Sequence, residues 1–228
     1  MQTITKLCAD HLRNNASNYG IKLKASHAHE LVAAFFGYQS RAAMLAEGFY
    51  PVENLDQARL LIVNPEFIDQ RRECLQDLPA SLPDSHKLIP ELQLALKSEG
   101  EFSGDVWICS SLEHYIAEEY VHEQDALIMD RLSGVMAETN AEFGLGWLED
   151  IEVDIDENDE GITMIVTGQY SGDAGTERPF CGDKIDTVMT IELQRVAGRN
   201  GYSKPDISVE GEVNDDWVDP ELRYGTGS

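Results

Sequence analysis

The sequence predicts an α+β fold, with N-terminal and central helices followed by a C-terminal antiparallel β-meander. Three observations predict it. Apolar residues recur at spacings of three and four over most of the first 140 positions. From about residue 150 the period changes to two. The segments of period two follow one another through short Gly-, Asn- and Pro-containing links, which favour antiparallel neighbours.

In order along the chain, Ile4, Leu7, Cys8 and Leu12 mark a helix over 3–18, stopped at Gly20. Ser26 is the expected cap of a helix over 27–36 that ends at Gly37, and Ser40 of a short helix over 41–47. Helices are expected over 54–63 and 65–77, the latter with Pro65 in its first turn, where a missing N–H costs nothing. After the loop 79–85 come a helix over 87–98, a short strand from Val106 to Cys109, and a long helix from Leu112 to about Phe143. That last helix carries Leu112, Ile116, Tyr120, Ile128, Leu132 and Met136 at multiples of four.

Ile151, Val153 and Ile155 alternate with Glu152, Asp154 and Asp156, the pattern of a half-buried strand. Further strands are expected over 162–170, 185–196 and 207–213, with loops over 171–184 and 197–205. In the tail, Trp217 and Val218 are candidates to dock.

The chain has 228 residues, with 42 Asp+Glu against 17 Lys+Arg and a formal charge of −25. Phosphate neutralisation needs clustered Lys and Arg, so direct nucleic-acid binding is not expected. A membrane-surface role fails for the same reason, and no apolar run reaches the roughly 18 residues of a spanning helix. Cys8, Cys74, Cys109 and Cys181 are scattered without a Cys-x-x-Cys pair, which fits reduced thiols in a cytoplasmic protein. Residues 1–50 sum to +2 and residues 51–228 to −27. That step predicts a small three-helix module over 1–50 and an acidic α+β domain over 51–228, helical to about 145 with its sheet over 150–213.

Glu152, Asp154 and Asp156 place three carboxylates on one strand face, about 6.7 Å apart. With Asp159 and Glu160 they form the candidate partner-binding set: a row of charge able to mimic alternate phosphates of a duplex strand, set against the plainer role of protecting a sheet edge. A calcium loop in the same segment is rejected, because Asp159 stands where Gly is needed and Ile165 where a bidentate Glu is needed. His114, Glu118 and His122 share a helix face and are weak metal candidates, since ligands two turns apart need another element to complete a site. His27 and His29, at a helix start, have capping or packing as their expected role. Leu31–Leu45 has helix-turn-helix spacing, but the second helix offers little beyond Arg41 to touch bases or phosphates. Phe35, Phe36 and Tyr38 are candidate docking residues for a homodimer. No catalytic motif is present, no catalytic residue is assigned and no cofactor is expected.

His29-Glu30-Leu31-Val32-Ala33, Phe36-Gly37-Tyr38, Ala42, Ala43 and Leu45 resemble a small helical module. It occurs in uncharacterised accessory proteins of plasmids and integrative elements, and in glyoxalase-superfamily-associated proteins. The resemblance covers about a fifth of the chain, implies a mobile-element setting and brings no catalytic residues. The resulting expectation is a non-enzymatic acidic protein that binds a basic surface on a partner protein, as a DNA mimic that inhibits a host-defence or nucleic-acid-handling protein. A metal-dependent hydrolase using the His114/Glu118/His122 face and a dimerising scaffold are the alternatives.

Overall fold

A computed structural model of the chain describes residues 3–139, 141–144, 148–172 and 184–214. Of the loop expected over 171–184, Ser171 and Lys184 belong to strands. Residues 173–183, Cys181 among them, lie outside the described residues, as do the docking candidates Trp217 and Val218.

Helix α1 spans Ile4–Asn18, with Thr3 Oγ1 accepting the Lys6 N–H. Its buried stripe is Ile4, Cys8, Leu12 and Ala16, one residue per turn. Gly20 ends it in the left-handed conformation (φ +72°), and Ile21 N–H donates back to the Ala16 carbonyl at 2.9 Å. Helix α2 spans Ala25–Phe35 and starts at Lys24 without a side-chain cap, so the cap expected at Ser26 is not formed. Gly37 (φ +81°) closes it. Ser40 caps the short helix α3, Arg41–Leu45, through the Ala43 N–H.

The helix expected over 54–63 is instead a 3₁₀ turn, Val52–Gln57, followed by strand β1, Leu60–Val63. Leu60, Leu61 and Val63 are all buried, and an apolar run covered on both faces has no period to separate strand from helix. Helix α4 spans Pro65–Cys74, capped by Asn64 and led by Pro65, and α5 spans Ser85–Ser98, capped by Asp84. Strand β2, Asp105–Ile108, lies parallel to β1 in the register Leu60↔Asp105 to Val63↔Ile108.

The long helix expected over 112–143 keeps a helical backbone from Leu112 to Glu123 through a turn of π-helix, is interrupted at Gln124, and ends at Met136. It comprises α6 (Leu112–Tyr115), a turn of π-helix (Ile116–Tyr120), α7 (Val121–Glu123) and α8 (Asp125–Met136). A repeat of four overruns the 3.6 residues of an α-turn, so apolar positions drift around an ideal helix. The wider π-turn and the interruption at Gln124 let Ile116, Tyr120, Ile128 and Leu132 all be buried.

Strands β3 (Glu149–Glu157), β4 (Gly161–Ser171), β5 (Lys184–Ala197), β6 (Gly201–Tyr202) and β7 (Asp206–Asn214) follow. β3, β4 and β5 are neighbours in chain order, and β7 pairs antiparallel with β5. The α+β class therefore holds, with a parallel β1/β2 pair among the helices as the departure from a purely antiparallel sheet. No helix among the described residues is long and apolar enough to cross a membrane.

The chain divides into two units. The first comprises residues up to Leu112 with Glu157–Ile162 and Leu193–Pro205. The step in charge at residue 50 falls inside it. One core mixes Leu12, Leu31 and Phe36 with Leu55, Leu61, Ile89, Leu96 and Ala197. Phe35, Phe36 and Tyr38 are buried in this core, the two phenylalanine rings edge-to-face at 5.0 Å. Their side chains offer no docking surface, which corrects the expectation of a homodimer contact through them.

Asn200 crosslinks this core. Its Nδ2 donates to the Phe35 carbonyl (2.8 Å) and to the Ile62 carbonyl (2.9 Å). Glu47 accepts the N–H groups of Phe49 (2.9 Å) and Tyr50 (3.3 Å) and meets Arg199 Nε at 3.4 Å. These backbone donors hold its carboxyl below the usual carboxylate range.

The second unit comprises Glu113–Asp156, Thr163–Glu192 and residues from Asp206 onward. Here α8 packs on β7, with Leu132 against Gly211, and the Tyr170 hydroxyl donates to Asp125 at 3.0 Å. Met164, Val166, Ile185, Met189 and Ile191 form the buried side of the sheet.

Three outcomes follow for the first unit. A Cβ at Gly161 would stand 2.0 Å from the Leu193 carbonyl oxygen, so Gly161→Ala should cost at least about 2 kcal/mol in a urea titration. Because folding lowers the Glu47 pKa, its contribution is present above the ordinary value of about 4.3 and is lost as pH falls through the lowered one. Glu47→Gln should therefore be less stable than the native chain at neutral pH, and the gap should close on acidification. Cys8 is fully buried and burial pushes its thiol up to about 12, so peptide mapping after alkylation of the folded protein should find Cys8 unmodified until denaturant is added.

Candidate partner-binding face

The second unit carries most of the negative charge. Among the described residues it holds eighteen acidic side chains and two basic ones, Arg131 and Lys184; the first unit holds seventeen and thirteen. The acidity is thus gathered on one unit and does not follow chain length.

Strand alternation directs it to one side. In β5, Ile185, Thr187, Met189 and Ile191 are buried, while Asp186, Val188, Thr190 and Glu192 point the other way. The antiparallel register sets Asp186 opposite Glu212, Val188 opposite Glu210, and Glu192 opposite Asp206. Two of these cross-strand pairs are therefore like-charged, an arrangement that destabilises a sheet. Amide donors cover part of the charge: Asp186 accepts Gln169 Nε2 at 2.7 Å and Asn214 Nδ2 at 2.9 Å.

β3 joins the same face through one irregular residue. Glu149 accepts the Ser171 hydroxyl at 2.9 Å, which places it on the outer side with the exposed residues of β4. At the other end, Glu157 turns to the buried Arg195 guanidinium at 2.8 Å, on the inner side. Positions 149 and 157 would share a face in an unbroken strand. Asp150 has φ +53°, a left-handed residue of the kind that forms a bulge and shifts the alternation by one. Counting back from Glu157, Ile155, Val153 and Ile151 face inward, and Asp156, Asp154 and Glu152 face outward beside Glu149.

The sequence-derived candidates are thus divided. Glu152, Asp154 and Asp156 are exposed on the outer face of β3, the last strand in the order β5-β4-β3. They therefore also occupy a sheet edge, where charge discourages pairing with another chain. Asp159 and Glu160 sit in the β3–β4 turn, which belongs to the first unit. Their carboxylates are exposed, while the Asp159 and Glu160 carbonyls accept Arg195 Nη1 (3.0 Å) and the Arg195 backbone N–H (2.8 Å).

His114 lies in α6, Glu118 in the π-turn and His122 in α7. Among the described residues no group of three or more His, Cys, Asp or Glu side chains is placed to hold a metal ion. His27 is buried, as packing requires. Helix α3 is five residues long, and Glu30 accepts both the Arg41 backbone N–H and the Arg71 guanidinium.

Asp186, Glu192, Asp206, Glu210 and Glu212 escaped the sequence reading. The carboxylates of β5 and β7 are spaced unevenly along each strand, and only pairing reveals that Asp186 lies beside Glu212 and Glu192 beside Asp206. Ile165 and Val188, 43% and 41% exposed, lie on the same side among the carboxylates. No protein-family model, curated protein or solved structure matches the chain.

The like-charged pair gives a stability prediction. Glu212→Gln removes the repulsion with Asp186 and should raise unfolding free energy by roughly 0.5 kcal/mol in a denaturant titration.

Proposed function

We propose that the chain is a non-enzymatic interaction protein whose outer sheet face on β3, β5 and β7 engages a basic surface of a partner protein. The observation that carries this reading is the pairing of Asp186 with Glu212 and of Glu192 with Asp206 on an exposed face. Repulsion at such positions costs stability, and a partner supplying Lys and Arg converts the same charges into attraction. The resemblance of residues 21–47 to accessory proteins of mobile elements supports a setting in which that partner is a host-defence or nucleic-acid-handling protein.

Carboxylates stand about 6.7 Å apart along β3 at Glu152, Asp154 and Asp156. β4, between β3 and β5, carries no carboxylate. On the paired strands β5 and β7, about 4.8 Å apart, Asp186 faces Glu212 and Glu192 faces Asp206. That gives a two-dimensional array of negative charge of the kind a duplex presents to proteins that neutralise its phosphates. Ile165 and Val188 supply an apolar centre within a charged surround, the usual anatomy of a binding patch. Charge on both sides steers encounter and makes affinity depend on ionic strength.

Affinity capture from a cell extract with salt elution isolates the partner. Its affinity for the chain should then fall at least tenfold between about 50 and 300 mM salt, a range over which exposed charges become screened. Replacing Glu210 and Glu212 with Gln should weaken the complex while leaving the fold intact. An affinity indifferent to both salt and these substitutions overturns the electrostatic reading.

A further inference from the structure

A second feature stands apart from the acidic face. A cleft of about 570 Å³ lies wholly within the first unit, where β1 and β2 end at Val63 and Ile108. Open sheets hold ligands in crevices outside the carboxyl ends of parallel strands, and the volume is within the range that small molecules occupy. Part of its lining is apolar, from Ile62, Phe67, Leu112 and Ile162.

Four charged side chains line the same cleft, and two of them are already committed to each other. Arg195, 5% exposed, gives Nη2 to Glu157 and Nη1 to the Asp159 carbonyl. Arg199 and Asp159 are left over. Arg199 meets Glu47 only through Nε, so its two terminal nitrogens hold no partner among the described residues. The Asp159 carboxylate is exposed and holds no partner among the described residues.

Hydrogen bonding is left over in both senses as well. Asn200, 8% exposed, spends Nδ2 on two carbonyls and leaves Oδ1 buried without a donor. Arg195, whose guanidinium also lies against Tyr202, keeps Nε buried without an acceptor among the described residues. Buried polar groups are nearly always paired, so an unmet donor and an unmet acceptor in the walls of one cleft point to a ligand offering the reverse.

A simple anion would meet Asp159 and Glu157. A simple cation would meet Arg199 and the positive end of α4, whose cap Asn64 lines the cleft. A ligand carrying both charges beside an apolar group satisfies all three requirements. We propose that the cleft binds a free apolar α-amino acid, with its carboxylate on Arg199, its ammonium on Asp159 and its side chain on the apolar lining. The reading is independent of the partner-binding face.

Calorimetric titration of the full chain with L-leucine, 4-methylpentanoate and 3-methylbutylamine tests it. The two analogues lack the ammonium and the carboxylate respectively. Leucine should bind at least about tenfold tighter than either, the equivalent of about 1.4 kcal/mol per lost contact. In Asp159→Asn, leucine should lose its advantage over 4-methylpentanoate. In Arg199→Gln, it should lose its advantage over the amine, with thermal unfolding confirming that each variant folds. Absence of binding by leucine and by L-phenylalanine at about 10 mM, ten times a Kd of about 1 mM, overturns the proposal. So does a preference that survives both substitutions, because binding would then lie elsewhere.

Discussion

The acidic face depends on what lies beneath it. A strand shows successive side chains to opposite sides, so each carboxylate of β5 and β7 is held outward by an apolar neighbour that faces inward. Ile185, Met189 and Ile191 are buried on β5, and Ile207, Val209 and Val213 are half-buried on β7. Fully burying such a side chain stabilises by about 1.5–3 kcal/mol, whereas a like-charged cross-strand pair costs at most about 1 kcal/mol. Burial wins, and the carboxylates stay in register although they repel. The spacing of the charges is set by the ladder rather than by the charges themselves.

The first unit is organised by a few polar side chains reaching between segments far apart in sequence. Asn200 binds the end of α2 and strand β1 at once, and Arg195 anchors the β3–β4 turn by two carbonyls and a carboxylate. Gly37 lets the backbone pass close to Arg199, where an added Cβ would stand 2.8 Å from the Arg199 Cβ. These residues are buried or half-buried for reasons of connection. The cleft they line follows from the same geometry, because loops leaving two parallel strand ends must part to reach different elements.

Much of the secondary structure was legible because local chemistry and pattern agree. Ser40 caps a helix, Gly20 and Gly37 stop two others, and period two marks β3, β4, β5 and β7. The two-residue β6 falls inside the loop expected over 197–205, and the caps Thr3, Asn64 and Asp84 were not among the expected ones. The segment 54–63 misled because Leu60–Val63 is apolar throughout, covered on both faces by the rest of the unit. The helix over 112–143 misled because a repeat of four resembles 3.6 on paper and only drifts noticeably after several turns. Of the binding face, the β3 row could be found from alternation. The opposing carboxylates of β7 could not, since cross-strand register is a long-range property. Arg195 and Asn200 gave no local signal, each being a single polar residue whose partners lie 36 to 165 positions away.

Asp150 has a wider bearing than its size suggests. Its left-handed backbone supplies the extra residue that lets Glu149 and Asp156 face the same way. Shortening the chain by one residue between Leu148 and Ile151 would swap the two sides of β3, turning three aliphatic side chains to water and three carboxylates to the interior. Natural variation at this position should accordingly tolerate Gly or Asn, which adopt that conformation readily, while lineages gaining or losing a residue here should be absent.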